Sequence, residues 1–431
     1  MIILFIVGYI FIALEHPLKI DKAASAILTG VLCWTAFIIG KDTILAMQAT
    51  NGEALHFIEG ELLHHVGEIA EILFFLLGAM TIVELVDAHG GFQVVTDRIN
   101  TTSRIKLLWI IGLITFFFSA ILDNLTTAIV IAALLRKLVY KKEDLWFFGG
   151  MVVIAANAGG AWSPIGDVTT IMLWIGGQIS ALNIVLKLFL PSVICLLIPL
   201  GIVTLFNRGD LERPAEIETE NAGGYAISSA ERRLIFFLGV GGLLFVPIFK
   251  NVTHLPPFMG MLFSLGVLWV VTEIIHRNKP YEERRELAVA SVIKRVDTPS
   301  ILFFLGILMA VASLQTAGQL EALANILDET FGNIYIINTL IGFLSAVVDN
   351  VPLVAGAMGM YDMSVYPQDH LFWELLAYCA GTGGSTLIIG SAAGVAIMGI
   401  LKIDFIWYLK RISLLAASGY LGGVLYLWLV G

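Results

Sequence analysis

Ser119-Ala120-Ile121-Leu122-Asp123-Asn124 stands inside a long apolar run, and Ser345-Ala346-Val347-Val348-Asp349-Asn350 repeats it in the second half of the chain. Each copy sets a carboxylate beside an amide where the surrounding sequence is apolar. The first lies in stretch 107–135, which has Arg98, Arg104 and Lys106 before it and Arg136, Lys137, Lys141 and Lys142 after it. Basic loops stay cytoplasmic, so a segment with Lys and Arg at both ends begins and finishes on one side of a membrane. At about 1.5 Å per residue, arms of roughly 13–16 residues reach about 20–24 Å, short of a hydrocarbon layer about 30 Å thick. The spacing predicts a re-entrant hairpin with Asp123-Asn124 at its turn. Stretch 335–360 is flanked by acidic loops and predicts a second hairpin, entering from the opposite face, with Asp349-Asn350 at the turn.

Outward from these turns the whole chain reads the same way. Of its 431 residues 58% are hydrophobic and 14% charged, where soluble domains average roughly 45–50% and about 25%. Uncharged runs such as 188–206, 256–272 and 412–430 match the thickness of a bilayer. The expectation is an all-α polytopic membrane protein with about ten transmembrane helices. Its net charge of −9 does not set orientation, which follows Lys and Arg in short loops. Lys19 and Lys22, the basic groups around 107–135, then Arg208, Arg213, Arg232, Arg233, Arg277, Lys279, Lys294, Arg295, Lys402, Lys410 and Arg411 mark one face as cytoplasmic. Loops at roughly 41–66, 317–334 and 361–372 are acidic and mark the other, with both termini expected there, on the periplasmic side of a prokaryotic inner membrane. His56, His64 and His65 are expected in solvated loop, and Glu71, Glu84 and Glu273 at headgroups. Cys33, Cys195 and Cys379 have no metal-type spacing and read as buried thiols.

Four blocks recur in order. Leu28-Thr29-Gly30-Val31-Leu32-Cys33-Trp34 resembles Ser264-Leu265-Gly266-Val267-Leu268-Trp269, and Ile72-Leu73-Phe74-Phe75-Leu76 resembles Ile301-Leu302-Phe303-Phe304-Leu305. The Asp-Asn hairpins come next, and Gly159-Gly160 with Ile165-Gly166-Asp167 returns as Gly383-Gly384 with Ile389-Gly390-Ser391. The reading is two inverted repeats, 1–206 and 234–431, joined by a polar cytoplasmic linker at 207–233. Inverted repeats belong to secondary transporters, whose sites lie at the repeat interface near mid-membrane.

A charged side chain at that depth costs about 2.5–3.5 kcal/mol on insertion scales, which singles out Asp123, Asp167 and Asp349. Capping of the second hairpin arms is a plainer role for Asp123-Asn124 and Asp349-Asn350, and Pro352 suits it; capping alone needs no charge. In 146–174 and 373–400 the Gly-Gly pairs, Ser163-Pro164 and Gly166 discourage continuous helix, so two broken helices are expected. Irregular backbone at membrane depth must line a cavity or be packed in protein. Asn157, Ser163, Thr169, Thr170, Thr382, Ser385, Thr386 and Ser391 supply oxygen atoms there, Thr126 and Thr127 supply more beside the first hairpin turn, and helix-packing glue is the plain role for the hydroxyls. These windows contribute three Asp and no Lys or Arg, so a cation or a proton is the expected occupant. An Asp with a reference pKa of about 3.9 exchanges protons near neutrality only if burial raises its proton affinity. Competition follows, with Na⁺ and H⁺ neutralising the same carboxylates in turn.

The paired Ser-Ala-x-x-Asp-Asn hairpins and the segment from Asn157 through Gly159-Gly160 to Asp167-x-Thr169-Thr170 resemble the NhaD-type sodium/proton antiporters of the ion transporter superfamily, over essentially the full chain. The resemblance implies scaffold and transport subdomains, elevator-like movement, a homodimer in the lipid bilayer, and exchange of Na⁺ or Li⁺ for H⁺. It implies ion-site roles for Asp123, Asn124, Asn157, Asp167, Thr169, Thr170, Ser345, Asp349 and Asn350, with Na⁺ at Asp123, Asn124, Asn157 and Asp167. Ser391 stands where the first half has Asp167, so an asymmetric site is expected. Carboxylate or arsenite transport within the superfamily stays open; no resident cofactor, nucleic-acid partner or enzymatic activity is expected. An intramembrane aspartyl protease would need Tyr-Asp and Gly-x-Gly-Asp pairings, whereas Asp123 follows Leu122 and Asp167 follows Ile165-Gly166. A passive channel fits paired re-entrant hairpins less well than alternating access.

Overall fold

The structure is a computed structural model that describes residues 1–13, 15–41, 51–96, 99, 101–206, 211 and 227–430. Positions 207–210 and 212–226 of the expected linker, including Arg208 and Arg213, lie outside the described residues, as does Arg98. Every regular element described is helical. Among the described residues eight helices are long and apolar enough to cross a bilayer, or nine if the bent pair Ala392–Leu401 and Phe405–Arg411 counts as one; the apolar helix Ile2–Ala13 has only 12 residues. Leu28, Leu186, Phe237, Val270 and Leu414 are each more than half exposed. Large apolar surfaces of that kind suit acyl chains rather than water.

At the first Asp-Asn motif the helix Arg104–Leu122 ends and Asn124–Leu138 begins, with Asp123 alone between them. Arg136 and Lys137 occupy the last turn of the second arm, where cations oppose the negative end of the helix dipole. The first arm has 19 residues, longer than the sequence spacing suggested because it starts at Arg104. At the second motif the arms Ile334–Ser345 and Asn350–Met360 have 12 and 11 residues, too few to cross at about 1.5 Å each. The Gly-Gly segments break as their composition demands. Lys142–Gly160 gives way to irregular backbone before Val168–Ile175. Leu371–Gly383 passes through a short 3₁₀ turn, Gly384–Thr386, before Ala392–Leu401.

The same contacts recur in the two halves. Ser119 Oγ donates to the carbonyl of Ala156 at 2.5 Å, and Ser345 Oγ to that of Ala380 at 2.8 Å. A Cβ on Gly159 would strike the carbonyl of Phe116, and one on Gly383 that of Gly342. Each hairpin's first arm therefore lies against its broken helix at a separation only glycine allows. Around these units Lys22–Ile39 packs on Thr298–Thr316, Asn51–Ala88 on Ser229–Thr253 and Pro257–His276, and Ala181–Phe206 on Ser413–Val430.

Two expectations about the outer loops need correction. Residues 51–66 are helix, not loop: Asn51–Ala88 runs unbroken for 38 residues. Its first turns pair His and Glu at helical spacing, His64 with Glu68 at 3.4 Å and His65 Nδ1 with Glu68 at 3.2 Å, which supports helix where polarity alone suggested coil. His65 is not solvated, being 9% exposed with Nε2 at 3.2 Å from Thr316. Likewise 317–334 contains the helix Gln319–Phe331. Residues 42–50 lie outside the described residues.

Candidate ion-binding site

Three acidic residues from separate segments meet. Asp123, Asp167 and Asp349 line one cavity of about 40 Å³ together with Asn124, Asn350, Lys22, Ser300 and Phe304. Each carboxylate starts a helix. Asp123 accepts from Thr126 N and Thr126 Oγ1, both at 2.8 Å, and Asp349 accepts from Val351 N at 3.2 Å. Asp167 accepts from Thr169 N and Thr169 Oγ1, both at 2.9 Å. Ser391 does the same for its half by accepting from Gly394 N at 3.1 Å. For the three Asp, helix capping and cavity lining thus coincide, as an oxygen that ends a helix break also faces the space the break creates.

Asp167 is the centre, 1% exposed. Asn124 Nδ2 donates to its Oδ2 at 2.5 Å, and Asn350 Nδ2 lies 3.3 and 3.4 Å from its two oxygens. The tips of both hairpins therefore converge on one carboxylate of the first broken helix. Asn157, fully buried, ties this centre to the second broken helix: its Oδ1 accepts from Asn124 Nδ2 at 3.1 Å, and its Nδ2 donates to Ser385 Oγ and Ser391 Oγ, both at 2.9 Å. Thr170 Oγ1 closes the capping box by accepting from Asp167 N at 3.3 Å, and it donates to the Asp167 carbonyl at 2.9 Å. Rotating the Asn124 or Asn350 amide would turn an oxygen towards the cavity, so the same groups can serve an anionic carboxylate or a cation beside it.

Asn157, Thr169 and Thr170 stand behind the cavity lining, and the other expected ligands are not part of it either. The hydroxyls of Ser345, Ser163 and Thr382 donate to the carbonyls of Ala380, Ala120 and Tyr378, which is helix packing and strap-like support. The hydroxyls of Thr127 and Thr386 are buried and make no hydrogen bond among the described residues.

Lys22 corrects the expected charge of the site. It begins the helix Lys22–Ile39, and its ammonium sits 3.3 Å from Asp349 Oδ2 and 4.5 Å from the centre of the Phe303 ring. Counting charge in the motif windows missed it, since it lies far from Asp349 in sequence and looked like one more cytoplasmic marker. Three carboxylates facing one ammonium still leave an anionic cavity. Its volume is near that of one water molecule in the liquid, about 30 Å³, and far below the 300–1,000 Å³ of pockets for organic ligands.

A second cavity, of about 370 Å³, is lined by His65, Glu68, Glu71, Gln178, Gln315 and Met358 among others. Glu71 therefore faces a protein cavity rather than headgroups. Lys22 and Ser300 lie in the first turns of Lys22–Ile39 and Thr298–Thr316, while Gln315 lies in the last turn of Thr298–Thr316. The two cavities approach that helix from opposite ends.

Known proteins are similar in sequence. A family model described as citrate transporter matches residues 9–381. Sodium/proton antiporter 1 of Arabidopsis thaliana is 49% identical over 426 residues, covering 98% of this chain and 71% of the relative. Sodium/proton antiporter 2 of the same plant is 45% identical over 429 residues, covering 99% and 98%. The Na(+)/H(+) antiporter NhaD of Alkalimonas amylolytica is 31% identical over 456 aligned residues, covering 99% and 90%.

Proposed function

This chain belongs to the citrate-transporter family, among its NhaD-type sodium/proton antiporters, and on that footing we propose that it exchanges Na⁺ or Li⁺ for H⁺ across a membrane. The observation that carries the proposal is the shared cavity of Asp123, Asp167 and Asp349, closed by two amides and too small for an organic anion. Dehydrating a cation is costly, and paired carboxylate and amide oxygens replace its water. Protons reach the same oxygens, so occupation by one expels the other. Na⁺ is held between Asp123 and Asp167, with oxygens turned inward from Asn124 and Asn157. Asp349 carries charge towards Lys22 until the ion enters.

Alternating access follows from the two inverted repeats, whose hairpins and broken helices move as one transport unit past the helices that include Lys22–Ile39 and Thr298–Thr316. The Lys22–Asp349 pair crosses that boundary and supports a sliding contact that forms at one end of the travel. We assign the cavity's Lys22 end to the cytoplasm on the strength of the basic loops, and the cavity beside Glu68 and Glu71 to the route on the other side. A homodimer in a prokaryotic inner membrane, with both termini periplasmic, completes the proposal.

The family model's name and the presence of Lys22 favour a second reading, carriage of an organic carboxylate. Everted vesicles with an acid interior separate the two when Na⁺, Li⁺, K⁺, citrate and arsenite are added one at a time. Dissipation of the pH gradient by Na⁺ or Li⁺ alone is expected. A response to citrate or arsenite alone would overturn it.

A further inference from the structure

A buried cluster away from the Asp cavity has the composition of a metal centre. His89 follows the helix Asn51–Ala88, Glu231 lies in the first turn of Ser229–Thr253, and His276 ends Pro257–His276. Both imidazoles are at most 2% exposed, and the Glu231 side chain is 9% exposed. One ligand atom from each lies within 4.8 Å of the others. His89 Nε2 and His276 Nε2 are 3.3 Å apart, and His276 Nε2 is 2.8 Å from Glu231 Oε1.

The hydrogen bonds leave a lone pair aimed at the centre of the cluster. His89 Nδ1 lies 2.6 Å from the carbonyl of Leu85, so its proton is on Nδ1 and a lone pair on Nε2 faces the cluster. His276 Nε2 then stands between that lone pair and a carboxylate oxygen with at most one proton to give. Glu231 Oε1 also accepts from Lys279 Nζ at 2.7 Å, so that one proton can go to His89 Nε2 or to Glu231, whereas a cation would use both lone pairs at once. Tetrahedral donors about 2.0–2.1 Å from Zn²⁺ lie about 3.3 Å from one another, which is the separation of the two imidazole nitrogens. The bond from a ring nitrogen to a backbone carbonyl is how metal-ligating histidines are usually oriented. Lys279 opposes the site, with its ammonium 2.7 and 3.0 Å from the Glu231 oxygens. A metal that takes Oε1 leaves Oε2 to Lys279.

We propose that His89, His276 and Glu231 form a site for a divalent cation of the Zn²⁺ class, with a fourth position for water. Two nitrogens and one oxygen suit Zn²⁺, Co²⁺ or Ni²⁺ better than Mg²⁺ or Ca²⁺. The ion fastens the ends of three helices drawn from both halves of the chain. It shares no residue with the lining of the Asp cavity, so the proposal stands apart from Na⁺/H⁺ exchange.

The test uses the full chain purified in detergent, stripped with chelator and titrated with Co²⁺, then with Zn²⁺ as competitor. One Co²⁺ per chain with the visible absorption of tetrahedral coordination is expected. His89→Gln and His276→Gln should each weaken it by about 100-fold or more, beyond the 10–100-fold effect of a supporting group. Lys279→Met should tighten it, which a merely structural cluster would not do, and Asp167→Asn should leave it unchanged. Equal Co²⁺ binding by the parent and both Gln variants, or none by a monodisperse parent that still exchanges Na⁺, would overturn the proposal.

Discussion

Replacing Lys22 by Met removes the only ammonium lining the Asp cavity among the described residues, while keeping an apolar stem against Phe303. At 3.3 Å from Asp349, attraction at an effective dielectric constant near 20 is about 5 kcal/mol. Dehydration cancels much of it. The two side chains keep 23% and 17% exposure, so the net value falls between an exposed pair, about 1 kcal/mol, and a buried one, about 3–5 kcal/mol. A value of about 1–3 kcal/mol corresponds to about 5–150-fold in binding. Na⁺ approaching Asp349 no longer competes with the ammonium, so half-saturating Na⁺ at fixed alkaline pH should fall by that factor. Proteoliposomes with an internal pH dye, titrated with Na⁺, measure it. Lys22→Arg keeps the pair and should stay near the parent. A Met variant with unchanged half-saturation would refute a role for the pair in ion entry.

Other substitutions probe how the site is held. Asp123 adopts φ 86°, ψ 160°, a region nearly confined to glycine that costs about 1–3 kcal/mol; Asp123→Gly should be more stable than Asp123→Ala by that amount in denaturation, with both inactive in exchange. Asn157→Ala removes bonds to Asn124, Ser385 and Ser391, so a loss of about 2–4 kcal/mol in stability and of Na⁺-driven proton movement is expected, with Asn157→Asp recovering neither fully. Gly159→Ala and Gly383→Ala force a Cβ onto backbone carbonyls of the hairpins and should lower the melting temperature as overpacking of about 1–3 kcal/mol or more, whereas Gly67→Ala, with open space around it, should be neutral or stabilising.

Much of this architecture was legible because the decisive features are local. A carboxylate followed by an amide in an apolar run, or two glycines before Ser163-Pro164, carries its own chemical constraint, and helices end at Leu122, Ser345, Gly160 and Gly383 accordingly. What escaped depends on distant partners. Nothing beside Lys22 in sequence points to Asp349, nor does anything near His89 point to His276. The polar start of Asn51–Ala88 read as loop because Glu and His are scarce in spans, although their three- and four-residue spacing is helical. Ser345 matches the family's ion-site pattern, and its hydroxyl also donates to the Ala380 carbonyl, a contact only packing reveals.

Competition between Na⁺ and H⁺ for Asp123, Asp167 and Asp349 is tested most directly by counting protons released when Na⁺ binds the purified chain in weakly buffered solution. Proton release that saturates with Na⁺, is repeated by Li⁺, and disappears in Asp167→Asn is the predicted result. Na⁺ binding with no proton released, or full release in Asp167→Asn, would contradict it.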